Sequence, residues 1–357
     1  MNKWIKLLVF LPIPLFMLLI NYLVDPSGIF HDDYQAVAKS VLDGNNVLIL
    51  RGNINEREVK HQLIENLPEH VECIAVGPSL VMGVRKDDVG TENFYNLGES
   101  GADFYDILAQ FGLLELNHKK YDRVIFCVDT YFFDENLNKT FTRNRELRPF
   151  ADYMLTLLDG AQDIPVESVM GKKGISQYKE LLSVSYFQSS LQLVKKQGRE
   201  ALVGERWTVV DKGVYDKAYY MADGSWVYAL KTQKQDEKDV IKESNEYNVE
   251  KQFSKGKHLS SYQQETFEKL LQYLQARHVQ VELFLCPVSP TLWGRIDNDD
   301  YHVLGELESF AHSMADKYNL KLTGAYNPHT LGMGDKDFYD SRHVRHELLS
   351  TYFDFKP

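Results

Sequence analysis

Three short stretches of this 357-residue chain combine residue types that could carry out covalent chemistry. Gly77-Pro78-Ser79-Leu80 directly follows the apolar run Val71–Val76. A serine on a tight turn at the carboxyl end of a strand stands where open parallel sheets bind ligands. Its hydroxyl is a weak nucleophile until a neighbouring base takes the proton. Asp337-Phe338-Tyr339-Asp340-Ser341-Arg342-His343, near the C-terminus, offers that base. Asp340 and His343 are close enough in sequence for one loop to supply both an imidazole and the carboxylate that orients it. His346 is a rival base, but it lacks a carboxylate three residues upstream. Between these stretches lies Asn96-Leu97-Gly98-Glu99-Ser100-Gly101-Ala102. A glycine-rich turn before a helix frees backbone N–H groups that can hold an oxyanion. Each stretch also has a plain structural use: a helix cap for Ser79, a strand-to-helix turn for Asn96–Ala102, a surface loop for Asp340–His343.

The elements that must position these residues read as α/β. Val71–Val76, Arg123–Val128 and Val279–Cys286 are short apolar runs bounded by Gly or Pro, the pattern of buried strands. Phe94-Tyr95 is a shorter one. Ser260 to Arg277 has capping-box spacings at its start and puts Phe267, Leu270, Leu271 and Leu274 on one helical face. Tyr301–Tyr318 and His343–Phe353 read as further amphipathic helices. Strands alternating with helices predict a parallel sheet covered on both faces. Residues 140–258 break the pattern and read as an insertion. Within it Trp226–Leu230 is a predicted strand, Trp226 a candidate lid residue, and Gln233–Lys257 an exposed helix or loop. The predicted organisation is a segment 1–24, a stem 25–70, a first half-domain 71–139, the insertion 140–258 and a second half-domain 259–357.

Leu7 to Leu23 carry no charge, with Lys3 and Lys6 before the run and Asp25 after it. That length approaches the roughly 20 residues needed to cross a bilayer. The charge asymmetry predicts an uncleaved signal-anchor with residues 25–357 outside the cytoplasm. The net charge of −11 argues against nucleic acid as a partner, since that binding neutralises phosphates with Lys and Arg. Cys73, Cys127 and Cys286 sit in apolar runs and read as buried thiols. No metal or cofactor is expected: the histidines are scattered, and no nucleotide-binding glycine fingerprint is present. Tyr131-Phe132-Phe133 and Phe338-Tyr339 read as packing residues at the sheet edge, with Tyr339 alone bordering the pocket.

Taken in order, these blocks resemble the SGNH/GDSL hydrolase superfamily. Gly77-Pro78-Ser79-Leu80 is similar to its Gly-Asp-Ser-Leu block, with Pro78 in place of a non-catalytic Asp. Asn96–Gly101 looks like its second block, and Asp340 with His343 like its last. The resemblance covers about 71–135 and 260–357. It implies a flavodoxin-like three-layer domain interrupted by the insertion, with Ser79, His343 and Asp340 as triad. The Ser79 and Gly101 N–H groups would then be oxyanion donors. The third block departs: the family has Gly-x-Asn, where this chain has Cys127-Val128-Asp129-Thr130. An ionised Asp accepts hydrogen bonds and cannot donate to an oxyanion. Asp129, Asn96 and Tyr339 are therefore candidate substrate-contacting residues. Asn21–Phe30 with its anchor looks like the membrane-anchored bacterial branch, which assists acylation of envelope polymers such as teichoic acids or exopolysaccharides. That branch implies a multi-pass membrane-bound O-acyltransferase as partner. Three activities fit: acyl transfer to a polymer hydroxyl, hydrolytic removal of acyl groups from glycans, or polymer binding without turnover.

Overall fold

The apolar runs become the middle of a parallel sheet. The structure, a computed structural model, describes residues 11–31, 33–50, 55–134, 147–161, 175–253, 258–296 and 302–357. In chain order its longer elements begin with α1 (Pro12–Val24), α2 (Asp33–Leu42), β1 (Asn46–Ile49), α3 (Glu56–Asn66), β2 (His70–Val76), β3 (Phe94–Asn96), α4 (Phe104–Leu116) and β4 (Lys120–Val128). Then come α5 (Arg148–Leu158), α6 (Val184–Gln197), β5 (Trp207–Val210), β6 (Tyr219–Tyr220), β7 (Trp226–Val227) and α7 (Glu237–Glu246). The last are α8 (Ser261–Ala276), β8 (Gln280–Leu285), α9 (Val303–Tyr318) and β9 (Lys321–Gly324).

Five strands form one sheet in the order β3-β2-β4-β8-β9, every pair parallel. This is the doubly wound order of a flavodoxin-like α/β fold. Because side chains alternate across a strand, each apolar run feeds two cores. Ile74, Val76, Val124, Phe126, Leu283 and Leu285 face one side, packed under α4, α8 and α9. Phe267, Leu270, Leu271 and Leu274 of α8 are all buried there. Burying each such side chain is worth roughly 1.5–3 kcal/mol. The Ser260 side chain makes no cap bond, contrary to the predicted capping box. Cys73, Ala75, Ile125, Cys127, Phe284 and Cys286 face the other side. That face is covered by the turn after Ser79, by Phe338–Phe355 and by Val240 of α7. The predicted helix His343–Phe353 is accordingly reduced to single turns, His346–Leu348 and Leu349–Tyr352. All three cysteines are buried free thiols.

A second, antiparallel sheet has the order β5-β1-β6-β7. It joins β1, from the predicted stem, to strands of the predicted insertion, so these two stretches fold together. Val47 and Ile49 pack with Val37, Val41, Val59, Leu63 and Tyr220 in a core of their own. The turn after β6 docks on the main sheet. Asn96 N–H donates to the Asp223 carbonyl at 2.8 Å, and Trp226 N–H to the Met82 carbonyl at 2.8 Å. The buried Lys60 ammonium donates to the Asn96 and Gly224 carbonyls, each at 2.6 Å.

α1 ends at Asp25, whose backbone is left-handed (φ 42°) and whose side chain is buried. Its carboxylate accepts from Ile29 N–H and Phe30 N–H at 2.9 Å, and from the Tyr186 hydroxyl at 2.5 Å. It also pairs with His31 at 2.8 Å, while Arg206 donates to its carbonyl at 2.8 Å. Ile13, Leu15, Phe16 and Leu19 of α1 are exposed. Among the described residues no helix is long and apolar enough to cross a membrane; residues 1–10 of the expected span lie outside them.

Candidate active site

Ser79 follows the end of β2, at the switch point where the sheet order reverses. Gly77 makes the turn possible. Its φ is +143°, and a Cβ there would stand 2.7 Å from the Cys127 Cβ and 2.9 Å from the Cys127 carbonyl oxygen. The chain then closes a 3-10 turn over Ser79–Val81. Ser79 is left half-buried with its hydroxyl toward the C-terminal loop.

That loop is pinned at its base. Phe338 and Val344 form an antiparallel bridge, Tyr339 N–H donates to the His343 carbonyl at 2.8 Å, and Ser289 N–H to the Ser341 carbonyl at 3.0 Å. The loop brings three of the predicted residues into one relay. His343 Nε2 lies 2.8 Å from Ser79 Oγ. His343 Nδ1 lies 2.7 Å from one Asp340 oxygen and 2.9 Å from the other. Asp340 also accepts from Arg342 N–H and His343 N–H, both at 2.8 Å. Burial pushes the Asp340 carboxyl up, but His343 and these donors outweigh it and hold it at about 2. An ionised carboxylate only accepts, so the imidazole proton sits on Nδ1 and Nε2 is free to take the serine proton. His346 is held otherwise. Its Nδ1 meets the Tyr339 hydroxyl at 2.5 Å, and burial and Arg85 bring it down to about 4.

The relay borders a cavity of about 240 Å³. Gly101, left-handed at φ 60°, forms one wall. Asp129 reaches the cavity but is almost wholly buried. One of its oxygens accepts from Arg342 Nη2 at 2.5 Å, the other from Tyr131 N–H at 3.0 Å. It is therefore an ion-pair partner and a helix cap. The Arg342 Nε is buried without a hydrogen-bond partner.

Two predicted contacts are corrected. Asn96 is fully buried, and its amide is occupied within the fold. It donates to the Val81 and Val84 carbonyls at 2.8 Å each and accepts from Gly98 N–H at 2.9 Å, tying the serine turn to the glycine turn. Tyr339 is buried behind the loop, with its hydroxyl on His346 and Glu347. It positions the loop and does not line the cavity. Trp226 packs edge-on against Tyr220 and does not cover the serine.

Other residues at the site were not read as functional from sequence. Glu243 and Tyr247 line the cavity from α7 and the residue that follows it. Burial and the Asp340 charge push the Glu243 carboxyl up. The Tyr228 ring stands 5.7 Å from the His343 ring. α7 is signalled by its capping box, Asp236 with Asp239, but nothing local says that it faces Ser79. Arg342 lies inside the Asp340–His343 motif, but nothing in the sequence pairs it with Asp129, 213 residues away. Away from the cavity, His258, His302 and Glu306 come within ligating reach of one another at the surface. No protein-family model matches this chain, and no curated protein matches it significantly.

Proposed function

We propose that this chain is a serine acyltransferase of SGNH type, anchored in the membrane with its body outside the cytoplasm, that esterifies a hydroxyl of an envelope polymer. A multi-pass membrane O-acyltransferase is the proposed partner that supplies the acyl group. The observation that carries the reading is the continuous Ser79–His343–Asp340 hydrogen-bonded relay opening on a cavity.

Ser79 Oγ attacks the acyl carbonyl carbon as His343 Nε2 takes its proton, and Asp340 accepts from Nδ1–H throughout. The Ser79 N–H and, across the cavity, Gly101 are the donors to the tetrahedral oxyanion. Collapse expels the donor's leaving group, which takes the proton from Nε2, and leaves acyl-Ser79. The acceptor hydroxyl then attacks, gives its proton to Nε2, and releases Ser79 with that proton returned. Hydrolysis uses the same residues with water as acceptor. Transfer requires that a bound acceptor, and not water, occupy the open face beside Glu243 and Tyr247.

The test is labelling of the full chain in detergent with a fluorophosphonate probe, read by intact mass. One adduct is expected on wild type, none on Ser79→Ala, and a much slower one on His343→Ala. Absence of an adduct from folded wild type would overturn the reading.

A further inference from the structure

A second cavity, of about 920 Å³, lies close to the first: Ser100 lines the larger and Gly101, the next residue, the smaller. Arg57, in the wall of the larger, links the two walls by donating to the Ser100 carbonyl at 3.0 Å and the Gly101 carbonyl at 3.4 Å. Ala229 also lines the larger cavity, next to Tyr228 at the His343 ring. From there it runs to Ser27 and Pro26, just beyond the end of α1. Its walls come from α6, α3 and the second sheet, the parts that the relay does not need.

The smaller cavity, about 240 Å³, has room for an acyl group and not for an extended polymer. A polymer acceptor has to lie elsewhere and present only its reacting hydroxyl. Small-ligand sites run to roughly 300–1,000 Å³, so the larger cavity is at the upper end of that range. Ser189, Gln192 and Gln197 of α6 line one side, and Asn55, before α3, also lines it. Each can donate to or accept from a chain hydroxyl. Trp226 lines the cavity with an apolar, partly buried ring suited to the C–H face of a sugar or polyol. Glu56 and Asp216 also line it, and Lys217 donates to the Leu50 carbonyl, which leaves the exposed Lys196 as the cation placed to meet a linking phosphate.

We propose that this groove binds an extended, hydroxyl-bearing chain and delivers one of its hydroxyls to acyl-Ser79. The proposal rests on the acyl-transfer reading and names its acceptor site. In the step it serves, the bound hydroxyl oxygen bonds to the acyl carbon and its proton passes to His343 Nε2. The bond from Ser79 Oγ to the acyl carbon breaks, and Oγ recovers the proton. The shared chemistry has two sources, a neutral glycan or a phosphate-linked polyol.

The experiment is lysine acetylation of the full chain in detergent by an N-hydroxysuccinimide ester, read peptide by peptide in a mass spectrometer. It is run with cellohexaose, with a glycerol-phosphate hexamer, and with neither. Labelling of Lys196 is expected to slow by about tenfold at a ligand concentration about ten times Kd. Lys269 and Lys317, exposed on α8 and α9, should be unaffected. Protection by one probe identifies the source and supports the groove; protection by neither at millimolar concentration overturns it. Ser189→Trp, on the exposed wall of α6, should remove the protection with the melting temperature unchanged. Protection should persist in Ser79→Ala. A chain that fails to take the fluorophosphonate yet shows protection would thus retain the groove and lose the transfer reading. A labelled chain without protection would do the reverse.

Discussion

Asp340 holds the relay together, and it can be separated from Ser79 by substitution. Asp340→Asn should keep the fold at neutral pH while lowering the rate of serine labelling by about 10⁴-fold, because an amide can donate to Nδ1 and select the wrong tautomer. The same variant has a signature in stability. The Asp340 carboxyl titrates at about 2 in the folded chain, below its ordinary 3.8. Its stabilisation is therefore present above about pH 4 and lost as pH falls through 2. Urea midpoints measured between pH 5 and 2 should fall more steeply for wild type than for Asp340→Asn; parallel curves would remove Asp340 from the charged relay. Ser79, Asp340 and His343 were legible because each lies in a short motif whose chemistry is local. Asn96 and Tyr339 were misread because a polar residue beside a motif looks the same in sequence whether its groups face a ligand or the backbone. Only the carbonyls of Val81 and Val84, brought near by folding, distinguish the two for Asn96.

At the scale of elements, the site depends on how closely two strands approach at their carboxyl ends. Gly77→Ala would force a methyl group against the Cys127 Cβ and carbonyl, in a backbone conformation that side chains disfavour. Neither neighbour is a flexible side-chain end. The expected cost is about 2 kcal/mol or more, with a loss of serine labelling that exceeds it because the turn carrying Ser79 shifts. Urea unfolding and probe labelling of one sample check both; unchanged labelling would mean that the turn tolerates the methyl group. Four strands of the main sheet, and α8 with its apolar face, were legible because burial on both faces leaves a continuous apolar run or a clean helical stripe; the edge strand β9, Lys321–Gly324, was not, because it is four residues long and mostly unburied. Nor was β1. Asn46–Ile49 is four residues long, and its partners Trp207–Val210 lie far away in sequence. The charged stretch around α7 reads as solvent-facing, yet Val240 and Ser244 are buried. An amphipathic helix with so few apolar residues hides its inner face.

In the whole molecule, the second sheet and the catalytic layer are joined by a buried cation. Lys60 is inaccessible to solvent, and burial brings its ammonium down to about 8. The unfolded chain holds that proton to an ordinary 10.5, so from pH 8 to 10.5 the unfolded state binds more protons and stability from this group rises. Glu99 acts in the other direction at lower pH, since burial and Asp106 push its carboxyl up to about 8. Its contribution declines from about 4.5 to 8, which leaves the upper window to Lys60. Lys60→Met should remove the alkaline rise; a rise of equal slope in that variant would assign it to another group. This joint was invisible in sequence, because a lysine in an amphipathic helix is ordinarily a solvated one. The other joint has a mechanical consequence. Asp25 closes the end of α1 with bonds to the following turn, to Tyr186 and to Arg206. α1 therefore meets the body as a bracket and not as a tether. Whatever holds the helix (a bilayer, in our proposal) fixes the height and heading of Ser79 as well. A flexible stalk would let the site sweep a hemisphere in search of acceptors; in our proposal this one works at a single elevation, and the acceptor has to come to it.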